Sequence, residues 1–119
     1  MSARVAFLMR RSPYGTVYPA EGFRAIMGTA VFEMDIVVVF VDDGVYVALK
    51  GQKPEGIDMK PLGDGLPGLS EVGVKEFYVH DASLAERGLS AADLTVDAVV
   101  ADAARIVEVL AGCSAVLPF

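Results

Sequence analysis

Cysteine is almost missing from this chain. Cys113 stands alone among 119 residues, so no disulfide can form within the chain and a reducing compartment is the expected setting. Histidine is as scarce, with His80 the sole example, and there is no tryptophan. One histidine and one cysteine far apart in sequence do not supply the ligand set of a zinc site. Cations are few: Lys and Arg total 10 against 16 Asp and Glu, a net charge of -6. The only adjacent basic pair is Arg10-Arg11. Phosphate recognition needs clustered Lys and Arg, so direct nucleic-acid binding is not expected. Long apolar runs are absent too. Val5 to Met9 is too short for the core of a signal peptide, and Ile36 to Val41 is far short of a membrane span. A cytoplasmic chain with no membrane contact, folded as one domain over residues 1–119, is the expectation.

Hydrophobic residues are what the chain has in quantity, at 54%. A domain this small has a large surface for its volume and cannot bury all of them. Part is expected on a patch that another subunit covers, which points to an oligomer.

Along the chain, Val5-Ala6-Phe7-Leu8 is a short apolar run closed by a loop signal at Pro13 and Gly15. Phe23, Ile26, Met27, Ala30 and Val31 recur at helical spacing and predict a half-buried helix. Ile36 to Val41 is continuous and rich in β-branched residues. A strand that is apolar on both faces belongs in a parallel sheet covered by helices on each side. Asp42 to Leu49 has two readings. Asp43-Gly44 between apolar runs signals a hairpin, which Val45, Tyr46 and Val47 favour; alternatively Asp42 or Asp43 caps a short helix. Residues 51–68 hold five glycines and three prolines and read mostly as loop.

Glu76 to Val79 reads as the next strand. Ser83 and Glu86 have capping-box spacing, and Gly88 stands where a short helix over residues 82–87 would stop. Leu94 to Val96 carries a strand signal. Val99, Ala103, Ile106, Val107 and Leu110 form a second helical stripe, with Asp102, Arg105 and Glu108 facing away. Gly112 ends that helix, and Ala115-Val116-Leu117 is a final strand. Strands alternating with helices predict an α/β fold, three layers around a mainly parallel sheet.

Three groups of residues could carry chemistry. Gly63, Gly65 and Gly68 have the spacing of a phosphate-binding loop, but Pro67 spoils the helix start, no strand leads in, and no Lys-Ser or Lys-Thr follows. Cys113 lies between a helix end and a strand, where the negative end of the helix dipole disfavours a thiolate; a bystander thiol fits better than a nucleophile. His80, Asp81 and Ser83 are the third group, at the C-terminal end of a predicted parallel strand, where open α/β sheets place their sites. A nucleophilic triad needs its groups to converge, usually from different segments. Here Asp81 is expected on the face opposite His80, and Ser83 is expected to cap the following helix. No catalytic residue and no cofactor follow from these motifs; His80 and Asp81 are left as candidate pocket residues.

Asp42-Asp43-Gly44-Val45-Tyr46, then Gly51-Gln52-Lys53-Pro54, then Ser83-Leu84 with Glu86-Arg87-Gly88-Leu89, resemble the DsrE/DsrF-like sulfur relay family in its TusC/DsrF branch. The order of features runs from Arg4-Val5-Ala6-Phe7 to Val116-Leu117-Pro118-Phe119, nearly the whole chain. The resemblance implies a five-stranded parallel sheet between helices, with a helix over residues 44–49 in place of the hairpin. It also implies a hetero-hexamer, two copies each of three related subunits, that passes sulfur as a cysteine persulfide towards tRNA thiolation or sulfur oxidation. In the carrier subunit of TusD/DsrE type, the cysteine lies eight residues before the glycine that ends the short helix. Eight residues before Gly88 stands His80, and imidazole cannot hold a persulfide sulfur. The resemblance thus implies a structural subunit without the carrier group, partnered by TusD/DsrE-like and TusB/DsrH-like chains. The alternative is a stand-alone homo-oligomer that binds a small molecule, or acts as an enzyme, around His80 and Asp81.

Overall fold

The computed structural model describes residues 4–11, 18–30, 32, 34–49, 68–69 and 74–119. The loop at Pro13 and Gly15, Val31, the Gly51-Gln52-Lys53-Pro54 motif, and Gly63 and Gly65 lie outside the described residues. In chain order the elements are β1 (Arg4–Met9), α1 (Tyr18–Ala30), β2 (Asp35–Phe40), a 3₁₀ helix (Asp42–Ala48), β3 (Val74–His80), α2 (Asp81–Glu86), a second 3₁₀ turn (Ala91–Asp93), β4 (Val99–Ala101), α3 (Ala103–Ala111) and β5 (Ala115–Pro118).

The strands form one sheet in the order β4-β3-β2-β1-β5, and every pairing is parallel. Chain direction then determines the layers. Connections from β1 to β2, β2 to β3 and β3 to β4 all step the same way across the sheet, whereas β4 to β5 steps back past three strands. Parallel crossovers are right-handed, so the described elements of the first three belong on one face and α3 on the other. The packing agrees. Ile26 of α1, Val45, Val47 and Ala48 of the first 3₁₀ helix, and Leu84 of α2 pack with Val5, Phe7, Ile36, Val38, Phe40 and Val79. Ile106 and Val109 of α3 pack with Val37, Val39, Tyr78 and Ala101 on the opposite side. This is the three-layer fold that the strand and helix pattern predicts.

β2 sits at the centre for a reason that is visible in its composition. Ile36 to Phe40 are all 0% exposed, with alternate residues delivered to the two cores. Each such side chain contributes roughly 1.5–3 kcal/mol by leaving water. Two aromatic stacks brace the more crowded core, Phe7 on Phe119 and Phe40 on Phe77.

Several expectations need correction. The hairpin after β2 does not form: both edges of β2 are already taken by parallel neighbours, leaving no place for a returning strand. The 3₁₀ helix there is preceded by Val41 at the N-cap, with no side-chain cap bond, so neither Asp42 nor Asp43 caps it. Leu94 makes only an isolated antiparallel bridge to Leu49. Thr95 donates its amide to the carbonyl of Ala48 at 2.7 Å, so this segment pairs with the end of the 3₁₀ helix, and the fourth strand comes later, at Val99. In α3 the buried side is Ile106 and Val109, while Val107 is 64% exposed and Asp102 is the N-cap, accepting from the Arg105 amide. In α1, Ile26 is buried but Met27 is half exposed. No helix among the described residues is long and apolar enough to cross a membrane.

Candidate functional site

His80 closes β3 and is also the N-cap residue of α2, at the C-terminal edge of the sheet. The next residues are built to turn sharply. Asp81 begins the helix, its carboxylate accepting from the Ala82 amide at 2.6 Å. The helix ends one and a half turns later in a Schellman motif: Leu89 donates to Leu84, and Gly88 to Ala85. Gly88 takes the left-handed backbone, φ +67°, that its lack of a Cβ permits. Gly88 therefore does stop the helix. Ser83 does not cap it: α2 has no side-chain cap bond. Ser83 is instead buried, 2% exposed, and its hydroxyl is used elsewhere.

That hydroxyl joins two elements. Ser83 Oγ lies 2.7 Å from His80 Nδ1, and it accepts from the Asp42 amide at 2.9 Å. His80 Nε2 lies 3.7 Å from Asp81 Oδ1. The structure thus brings together the three groups that sequence adjacency was expected to separate. The reason is the tight turn from strand to helix, which swings Ser83 back beneath the imidazole one turn into α2. The array still does not make a nucleophilic triad. Ser83 is walled in, and its oxygen is engaged by the Asp42 amide, so no substrate carbonyl can reach it.

Two residues outside the sequence-based candidates complete the frame. The Arg87 guanidinium donates to Asp43 Oδ1 from Nε and Nη2, at 3.2 and 3.0 Å, and from Nη1 to the Ser83 carbonyl at 3.0 Å. It also lies over the Tyr46 ring. Gly44 seats the 3₁₀ helix against β1: a Cβ there would run into the Met9 carbonyl group. The motif residues of the resemblance therefore have jobs. Gly44 permits close approach, Ser83 and Arg87 bind the 3₁₀ helix to α2, and Gly88 ends the turn. The signal for the Arg87–Asp43 pair was present as two charged positions within quoted motifs, but nothing local to either one indicates a partner more than forty residues away.

A shallow, open depression of about 210 Å³ beside this edge is lined by Asp81, Ala82 and Ala85. His80 is not among its lining residues; its side chain is 23% exposed and Asp81 51%. No group of three or more His, Cys, Asp or Glu among the described residues is placed to hold a metal ion.

Cys113 lies at the other end of the sheet. Its neighbour Ser114 donates to the carbonyl of Arg4, the first residue of β1, whereas His80 is the last residue of β3. The thiol donates to the Val109 carbonyl at 3.3 Å. Burial pushes its pKa up, opposed by the nearby Arg4 charge and helped by Glu76, so the thiolate is disfavoured. A polar bridge joins β1 to β3 on the α3 side of the sheet. The Glu76 carboxylate accepts from Tyr78 and Arg4, both at 2.7 Å. The tyrosine bond, helped by Arg4 against the cost of burial, holds the Glu76 carboxyl below its ordinary range, and the same bond pushes the Tyr78 phenol up.

Comparison with known proteins agrees with this geometry. The model of the DsrE/DsrF-like family matches residues 3–119. The chain is 35% identical to the intracellular sulfur oxidation protein DsrF of Allochromatium vinosum, over 95% of this chain and 93% of that one. It is 33% identical to the TusC homolog of Vibrio parahaemolyticus, over 98% and 99% of the two chains, and 32% identical to TusC of Escherichia coli, over 98% of each. The crystal structure of the ychN protein from E. coli superposes with a TM-score of 0.85 over the whole of both chains, at 20% identity, which speaks for the fold alone. The family match and relatives of 32–35% identity over nearly the whole chain place this chain in the DsrE/DsrF-like family.

Proposed function

We propose that this chain is a subunit of a sulfur relay complex, of the kind that serves tRNA thiolation or sulfur oxidation, and that it shapes the complex without carrying sulfur itself. The observation that carries this reading is the contrast between the residue at the carrier position, His80, and the placement of Cys113. The carrier position given by the family register is an imidazole, and the one thiol sits at the opposite end of the sheet with its pKa raised by burial. A persulfide carrier needs a reachable thiolate; His80 has no sulfur, and at Cys113 burial works against the thiolate. The names of the relatives, DsrF and TusC, support the same assignment.

The proposed partners are TusD/DsrE-like and TusB/DsrH-like subunits in a hetero-hexamer in the cytoplasm. Exposed Val99, Val107 and Val116 give this chain apolar surface to cover. His80 and Asp81 form the edge that faces a neighbouring subunit's carrier cysteine, with the imidazole as hydrogen-bond donor to the sulfur anion. Native mass spectrometry of the chain alone and co-expressed with the two partner types tests the assembly. A hetero-oligomer containing this chain is expected; a homo-oligomer that ignores the partners would overturn the reading in favour of a stand-alone protein. His80→Ala within the complex is expected to preserve assembly and slow sulfur transfer. Unchanged transfer would remove the role of His80.

A further inference from the structure

We infer that Ser83 is a positioning residue that fixes the tautomer of His80, with Nδ1 unprotonated against the serine hydroxyl and the Nε2 proton presented at the surface. The Ser83 oxygen has one proton to donate and two lone pairs. One lone pair is taken by the Asp42 amide at 2.9 Å. Its other neighbour among the described residues is His80 Nδ1 at 2.7 Å. If Nδ1 carried the proton, both lone pairs would be filled by donors and the hydroxyl proton would have no acceptor among the described residues, at a site only 2% exposed. If the hydroxyl donates to Nδ1, all three groups are satisfied.

The far side of the ring gives the same answer independently. Asp81 Oδ1 faces Nε2 at 3.7 Å. A carboxylate is attracted to an N–H and repelled by a nitrogen lone pair, so it too favours the proton on Nε2. Two further features hold Ser83 in place. Asp42 has φ 51°, a left-handed backbone uncommon outside glycine, and in that conformation its amide reaches Ser83. Arg87 ties the Ser83 carbonyl to the Asp43 side chain. Ser83 therefore acts through His80: it turns the ring into a donor of known direction. In the reading proposed above, on which this last step rests, the proton faces the thiolate or persulfide anion of a neighbouring subunit's cysteine.

Because His80 is the only histidine, its ring nitrogens can be read without assignment. In the 15N-labelled free protein at alkaline pH, long-range 1H–15N correlation is expected to show Nε2 as the protonated, pyrrole-type nitrogen and Nδ1 as the pyridine-type one. Ser83→Ala is expected to move both shifts towards the average of mixed tautomers, and Ser83→Thr, which restores the hydroxyl, to return them. A protonated Nδ1 in the unsubstituted protein overturns the inference even if neither variant folds; so do shifts that Ser83→Ala leaves in place. Adding a persulfide-loaded carrier subunit is then expected to shift the Nε2 proton. A fixed tautomer with no such response would remove the donor role towards a partner and leave the Ser83 assignment standing.

Discussion

Among the described residues, α1, the first 3₁₀ helix and α2 lie on one face of the sheet, and the nine-residue α3 alone lies on the other. The crowded face is interlocked by polar contacts at its C-terminal edge: Asp42 to Ser83, Ser83 to His80, Arg87 to Asp43. Both faces keep apolar side chains in water: Met27, Val100 and Leu117 on the crowded side, and Val99, Val107 and Val116 on the thin side. Val99 shares the register of Tyr78 and Val116 that of Ala6, both on the α3 side, and Val107 sits on the outer surface of α3 itself. The difference follows from topology, since one reversal of direction in the strand order leaves one helix for the second layer. The crowded face thereby gives the chain a defined edge, held by Ser83 and Arg87.

The sharpest way to break the crowded face is Gly44→Ala. A methyl group there meets the Met9 carbonyl, and backbone cannot move aside as a side chain can, so a loss of about 3 kcal/mol or more, or failure to fold, is expected in denaturant melts. Arg87→Ala comes next. It removes the clamp between the 3₁₀ helix and α2, with an expected loss of about 1–2 kcal/mol, held down by the half-exposed Asp43 partner. Both variants are expected to perturb the His80 ring signals.

On the thin face the polar bridge predicts a pH dependence with a definite sign. Glu76 has a lowered pKa in the fold. The stability it adds is present above the unfolded value near 4.5 and is lost as pH falls through the folded value. Tyr78 is raised from 10.0, so its contribution is present below that value and fades as pH rises beyond it. Glu76→Gln is expected to flatten the acid limb of a stability-versus-pH curve; an unchanged limb would mean the bridge adds nothing. The smallest effect on the fold is expected from Val107→Lys, within about 0.5 kcal/mol at so exposed a site. If the thin face is for association, the same change weakens assembly with partner subunits, seen as a shift to free chain in native mass spectra. A stably folded variant with undiminished assembly would move the interface elsewhere.

Much of the fold was legible in the residues, and the failures share a cause. β2 announced itself because its apolar run serves two cores at once, and Gly88 because a helix stop is a local event. The Asp42–Leu49 stretch misled because hairpin propensity is local, whereas the pairing that forbids a hairpin, β2 held between β1 and β3, is not. Val107 looked like core because helical spacing marks a stripe wider than the side that α3 buries. At the candidate site the residues were found and their relations were not. His80 and Ser83 were named, but a three-residue separation does not say whether a serine caps a helix or turns under a ring. Asp42 and Arg87 enter the site through backbone conformation and a long-range ion pair, which no local pattern carries.

The central claim is that this chain assembles a relay without carrying its sulfur. The most direct test is to load the co-expressed complex with a sulfur donor, separate the subunits and weigh each intact. The carrier-type partner is expected to gain sulfur while this chain keeps the mass of its sequence. A gain of one sulfur on this chain, lost again in Cys113→Ser, would contradict it.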